Sequence, residues 1–238
     1  MRPLLLLPLF ALAVGCSTTT DGAHPHDQSV AGHDRAAADE QAAARAHGAQ
    51  YDPNGAGPTG GCQSGRAANA YDVCWSSTAN PTEAHQISQE RHRKAAAEHR
   101  AASQALRDAE ATACTGISAE DRDMSPFAHR EDILSVEPLQ EATGSAIAST
   151  PLTTGATVTV RAVRGLTTEW LQRIVDCHLA RASSLGHAMP EMTYCPLVPK
   201  GVSARVTSSG SAFAVAIRSD DPAAAAEVLR RSQQLVSR

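Results

Sequence analysis

The chain has 238 residues, 42% of them apolar but only 3% aromatic, so it can enclose a core, and that core must be built mostly from Ala, Val and Leu. Against 21 basic residues stand 25 acidic ones, for a formal charge of −4 and a pI near 6.2. With no polybasic patch in the chain, this balance excludes a general nucleic-acid or anionic-membrane surface and leaves one modest domain with long accessories.

Arg2 and the apolar run from Leu4 to Val14 make a positive start followed by a stretch about half as long as the ~20 residues that cross a bilayer. This pattern is an export signal rather than an anchor. It ends Leu12-Ala13-Val14-Gly15-Cys16, which resembles the lipobox of bacterial lipoproteins, where small residues precede a cysteine that receives diacylglycerol. The family usually has Leu three residues before that cysteine, and here Ala13 stands there. The resemblance covers only the export signal, residues 1–15. It implies cleavage before Cys16, acylation of Cys16 with palmitate-type chains, and a permanent lipid anchor. Ser17 in place of Asp implies, by the same resemblance, the outer membrane, with the protein facing the periplasm.

Residues 16–60 carry almost no large apolar side chain and read as a disordered tether, with a coil span of roughly 35 to 40 Å. Its Ala36-Ala37-Ala38 and Ala42-Ala43-Ala44 runs favour transient helix without a face to dock. Residues 61–79 form a loop region with Cys62 and Cys74 and no periodicity. Asn80-Pro81-Thr82-Glu83 has the form of a helix cap, and a long polar helix spanning residues 80–116 should run to Cys114, with Gly116 as its stop. Ile87 and Leu106 are its only large aliphatics beyond Glu83, so the expected structure is an exposed arm or a helix packed through alanine. Residues 117–155 read as short helical turns, a strand at Ile133 to Val136, and a loop from Thr143 to Gly155.

Residues 156–238 hold the clearest pattern. Val158, Val160 and Ala162 alternate with polar residues, as do Val202-Ala204-Val206 and Phe213-Val215-Ile217 around Ser208-Ser209-Gly210-Ser211, which gives a strand followed by a hairpin. Leu171, Ile174, Val175, His178, Leu179 and Ala182 fall on one helical stripe, and Asp221-Pro222 caps a second helix bearing Val228, Leu229, Leu235 and Val236. The order strand-helix-strand-strand-helix predicts an α+β domain with two helices on one face of a small sheet. It resembles a ferredoxin-like domain without its last strand, a place that residues 133–136 would fill in a circularly permuted arrangement. The strand-helix-strand order also resembles that of heavy-metal-associated copper chaperone domains. However, the loop Val163 to Trp170 lacks their Cys-x-x-Cys pair, so no ion site is carried over.

Export places the cysteines in an oxidising compartment. Cys62 with Cys74, and Cys177 with Cys195, are the expected disulfides, which leaves Cys114 free or paired to another molecule. His85, His92 and His99 recur every seven residues on one side of the long helix. With about 10.5 Å of rise between neighbours, one straight helix cannot bring two of them to one ion, so they are a solvated polar face or half of a site completed by another helix. His178 is expected to be buried with one hydrogen bond, and Cys177 structural.

The segment from His187 to Cys195 gathers His187, Met189, Met192 and Cys195, soft donors suited to Cu(I), and His187-Ala188-Met189 is similar to the His-x-Met pairs of periplasmic copper carriers. The rival assignment is an ordinary loop with its methionines packed on the sheet. No Gly-x-Ser-x-Gly elbow, phosphate loop, zincin helix or dinucleotide fingerprint occurs. The patch His129-Arg130-Glu131-Asp132 suits capping better than chemistry. The leading expectation is therefore a non-catalytic envelope lipoprotein, without a cofactor, that meets a protein partner in the envelope. The alternative is a periplasmic copper or heavy-metal binder.

Overall fold

The structure is a computed structural model, which describes residues 19–63, 73–143 and 150–237. The expected export signal and Cys16 lie outside these residues. Among the described residues, no helix is long and apolar enough to cross a membrane.

The chain departs first from its sequence expectation in the segment expected to be a tether. Helix α1, Val30–Gln50, opens at Ser29, whose hydroxyl accepts from the Gly32 amide at 3.0 Å. It runs antiparallel to α2, Glu83–Ala113. The expectation of a tether fails because it rests on the lack of large aliphatics. Ala37 and Ala44 of α1 and Ala95, Ala96 and Ala102 of α2 are all buried, and small side chains let two backbones approach closely enough to exclude water without Leu or Ile. Upstream of α1, the Thr20 amide donates to Glu98 Oε2 at 2.8 Å, so even the first described residues lie on α2. At the start of α2, Asn80 is not the cap. Its Oδ1 accepts from the Thr82 amide and its Nδ2 donates to the Asp52 carbonyl, which folds a turn and moves the helix start to Glu83.

Between the two helices, the expected loop is an antiparallel ribbon of β1, Gly57–Gln63, and β2, Val73–Ala79, stapled by Cys62–Cys74. After α2, Gly116 adopts φ 75°, the left-handed turn that ends helices. A short helix α3, Ala119–Asp123, follows, capped by the Ser118 hydroxyl on the Asp121 amide.

The second half of the chain is α+β. Its elements are β3 (Ile133–Thr143), β4 (Thr150–Arg161), α4 (Thr168–Ser184), β5 (Val202–Ser209), β6 (Ala212–Ser219) and α5 (Pro222–Val236). The strands form one antiparallel sheet in the order β3-β4-β6-β5. Much of the loop expected up to Gly155 is therefore strand. Gly155 sits inside β4 at φ 153°, and a Cβ there would collide with the Ile217 carbonyl oxygen, so the glycine permits a close approach of two strands. Val136, Val158, Val215 and Val206 align across the four strands. They join Leu171 and Val175 of α4 and Val228 and Leu235 of α5 in one core with Phe127, Leu197 and Val198. The alternate face carries Glu137, Thr157, Ala216 and Arg205 in register, as the period-two pattern requires. Thr167 and Asp221 cap α4 and α5 through their side chains.

The two halves are fastened along α2 and α4. The bond at Cys177 is to Cys114, not Cys195, because the Cys177 face of α4 turns toward α2 while Cys195 is enclosed in the core. Arg181 pairs with Glu110 at 3.1 Å and with Asp123 at 2.6 Å, and the Ser184 hydroxyl donates to the Leu106 carbonyl.

Candidate functional site

The four residues of the expected soft-metal loop have separate surroundings. His187 adopts φ 61° after Gly186, and its Nδ1 lies 2.7 Å from the Val198 carbonyl, so that nitrogen carries the hydrogen and donates it. Burial lowers its pKa. The ring lines a groove with His26 and Lys200. Met189 precedes and Met192 ends a single 3-10 turn, and both pack against the core. Cys195 is reduced and fully buried, with Sγ 3.5 Å from Nε2 of His178. This contact between α4 and the loop before β5 has no signal in the sequence, where Cys195 looks like half of a disulfide.

A thiol beside an imidazole suggests a nucleophile and its base, but the electrostatics oppose that role. Burial pushes the Cys195 thiol up, against the opposing effects of the Ser125 hydroxyl and the Leu197 amide. Burial, and then the charge of Arg181, brings His178 down to about 4. Both groups are thus held neutral, the reverse of the thiolate–imidazolium pair that a cysteine nucleophile needs. His178 Nδ1 has no hydrogen-bond partner among the described residues. His129 is exposed beside Glu131. With Asp121, Asp132 and Arg161 it lines a cleft of about 220 Å³ whose other walls are largely Met124, Val160, Leu166, Trp170 and Ile174.

The densest polar arrangement lies along the seam of α1 and α2. On α1, His33, Glu40 and His47 recur at seven-residue intervals, and they face His99, His92 and His85 of α2 in antiparallel order. Equal spacing on two antiparallel helices keeps every layer in register. In the inner layer the Nδ1 atoms of His33 and His99 are 3.1 Å apart, both side chains are buried, and His33 Nε2 lies 3.3 Å from the Pro25 carbonyl. That carbonyl can only accept, so His33 carries its hydrogen on Nε2 and its Nδ1 accepts from His99.

In the middle layer, His92 Nδ1 meets Glu40 Oε2 at 2.6 Å, with both side chains about 30% exposed. In the outer layer, the Nδ1 atoms of His47 and His85 are 3.1 Å apart, and the His47 ring also stacks on His92 with centroids 5.3 Å apart. The spacing of His85, His92 and His99 is visible in the sequence. The matching spacing on α1 is equally present there, but it carries no meaning in a segment expected to be a tether. Among the described residues, no three His, Cys, Asp or Glu side chains are gathered as the ligands of one metal ion. Compared with known proteins, the chain matches no family model, no curated protein and no solved structure.

Proposed function

We propose that this is a lipid-anchored envelope protein that acts as a non-catalytic interaction module, presenting a stiff two-helix arm from an α+β base. The arm itself carries this reading. Helix α2 is 31 residues long, about 46 Å; its C-terminal end is bolted to α4, and the rest is braced by α1 and closed by the disulfide-stapled ribbon. At the ribbon, Trp75 is 56% exposed and lies across Gly61 of the facing strand. It thus offers a fixed aromatic face, the kind of side chain that anchors protein interfaces.

The base supports the same role. Its strand order fits a circularly permuted ferredoxin-like sheet, with β3 in the place of the missing last strand, and such a sheet is a scaffold that implies no activity by itself. The export signal and Cys16 supply the anchor, with the outer membrane as destination. Thr20 already lies on α2, so an acylated Cys16 would hold the arm within about 14 Å of the lipid, four extended residues away, rather than at the end of a long tether.

Photocrosslinking in intact cells from a position on β2, compared with the same chain carrying Trp75→Ala, tests the reading. The expected result is one recurrent envelope protein crosslinked to the ribbon, at least tenfold less of it with Trp75→Ala, and unchanged thermal unfolding. Undiminished crosslinks from the Trp75→Ala chain would overturn it, as would recovery of an unmodified Cys16 from the membrane fraction.

A further inference from the structure

We propose that His47 and His85 clamp one divalent first-row transition-metal ion, of the Zn2+ or Cu2+ type, across the outer end of the α1–α2 arm. The inference goes beyond the interaction role and rests on geometry at the seam. With metal–nitrogen bonds of about 2.0 to 2.1 Å, two donors on one ion stand about 2.9 Å apart at a right angle and about 3.4 Å apart in a tetrahedron. The Nδ1 atoms of His47 and His85 are 3.1 Å apart, inside that interval, so an ion can replace the hydrogen between them without moving either helix. For coordination, both Nδ1 atoms must present lone pairs. The one hydrogen they share moves to the Nε2 of its own ring, and no net proton is released. Imidazole pairs select zinc, copper and nickel over magnesium and calcium.

The two histidine pairs are not equivalent. His33 and His99 have the same separation, but both are buried, and the hydrogen bond of His33 to Pro25 closes that layer into a satisfied chain. The nearby carboxylates are engaged: Asp34 with Ser103 and Arg107, Glu98 with Thr20 and Lys94. A dication there would be buried without charge compensation. The outer pair is only half-buried. Against it stacks His92, held by the Glu40 carboxylate, which places a negative charge one layer away and an oriented imidazole beside the clamp. Two protein nitrogens leave the remaining positions of the ion to water or to a donor from a partner.

The test uses the full chain in detergent, titrated with Zn2+ against a chromogenic chelator and with Cu2+ followed by electron paramagnetic resonance. The parent chain should bind one equivalent, with a copper spectrum of two nitrogen donors. His47→Ala or His85→Ala should weaken binding at least tenfold and Glu40→Gln several-fold. The loop variant Met189→Leu, Met192→Leu should bind like the parent. Absence of binding at 100-fold excess metal would overturn the proposal. So would undiminished binding by both alanine variants, or loss in the loop variant. Should the alanine variants lose helicity, the nuclear magnetic resonance spectrum of the parent chain decides. Zn2+ must shift the ring signals of His47 and His85 before those of His33 and His99, and equal shifts would overturn the clamp.

Discussion

At the scale of single residues, His178 joins burial to stability. It lies on the apolar stripe of α4, is 2% exposed, and has a pKa of about 4 against an ordinary value of 6.5. Between those values the unfolded chain holds a proton on this ring that the folded chain lacks, so stability falls as pH drops from about 6.5 toward 4, and flattens below. The full effect is up to about 3 kcal/mol, since each tenfold loss of proton affinity on folding costs about 1.4 kcal/mol. His178→Gln should lower stability at pH 7 and also remove most of the slope between pH 6.5 and 4, as urea unfolding at half-unit pH steps would reveal. A slope unchanged in the variant would contradict the assignment. Glu227, held down at about 2 by Arg230 and Arg231, contributes in the same direction but at lower pH. Its stabilisation is present above the ordinary carboxylate value and is lost as pH falls from there through about 2, so the two effects separate. The helical stripe foretells the burial of His178 but not its neighbour. Which cysteine meets which group depends on how the segment after α4 folds back over the core, and residue spacing does not encode that.

At the scale of elements, the seam between α1 and α2 shows what hydropathy misses. Amphipathic periodicity is normally sought in Leu, Ile and Val, and α1 has only Val30 among these. The seam is instead made of alanines alternating with a ladder of His and Glu, so its burial depends on close approach rather than on large side chains. Ala96 is 0% exposed and Ala44 1%, which leaves no room for growth. Ala96→Leu should therefore force the helices apart, break the register of the His33–His99 and Glu40–His92 layers, and cost about 1 to 3 kcal/mol. Far-ultraviolet circular dichroism should show helicity lost at a lower urea concentration, while core signals from the β-sheet change later. If Leu at this position raised stability, the close packing described for the seam would be wrong. The strands of the base are far more legible than the arm, because Val158, Val160, Val206, Val215 and Ile217 alternate with polar residues and large side chains report which face is buried. The β1–β2 ribbon resembles a loop in sequence because Gly, Ser and Thr dominate it, and its disulfide substitutes for the apolar side chains that usually mark a strand.

At the scale of the whole molecule, arm and base are joined by few bonds, and the disulfide Cys114–Cys177 is the strongest of them. Because 63 residues of sequence separate its ends, the chain-entropy account assigns it about 4 kcal/mol of stabilisation through the unfolded state. Cys62–Cys74, with a separation of 12, comes to about 3 kcal/mol by the same account, but only within a ribbon that has no part in the core. The two bonds should therefore behave differently when removed. Cys114→Ser combined with Cys177→Ser should split unfolding into two transitions. The arm should melt first, because among the described residues it is then held by Arg181–Glu110, Arg173–Thr115, Ser184–Leu106 and neighbouring contacts. Amide hydrogen exchange should show protection falling near Leu106 to Cys114 before it falls in β4 and β6. Cys62→Ser combined with Cys74→Ser should loosen residues 57–79 and leave the melting of the sheet where it was. A single transition in the first variant, or a lowered sheet transition in the second, would mean that arm, ribbon and base fold as one cooperative unit. The rigidity on which the interaction role depends would then come from packing along the entire length of α2 rather than from one covalent bolt.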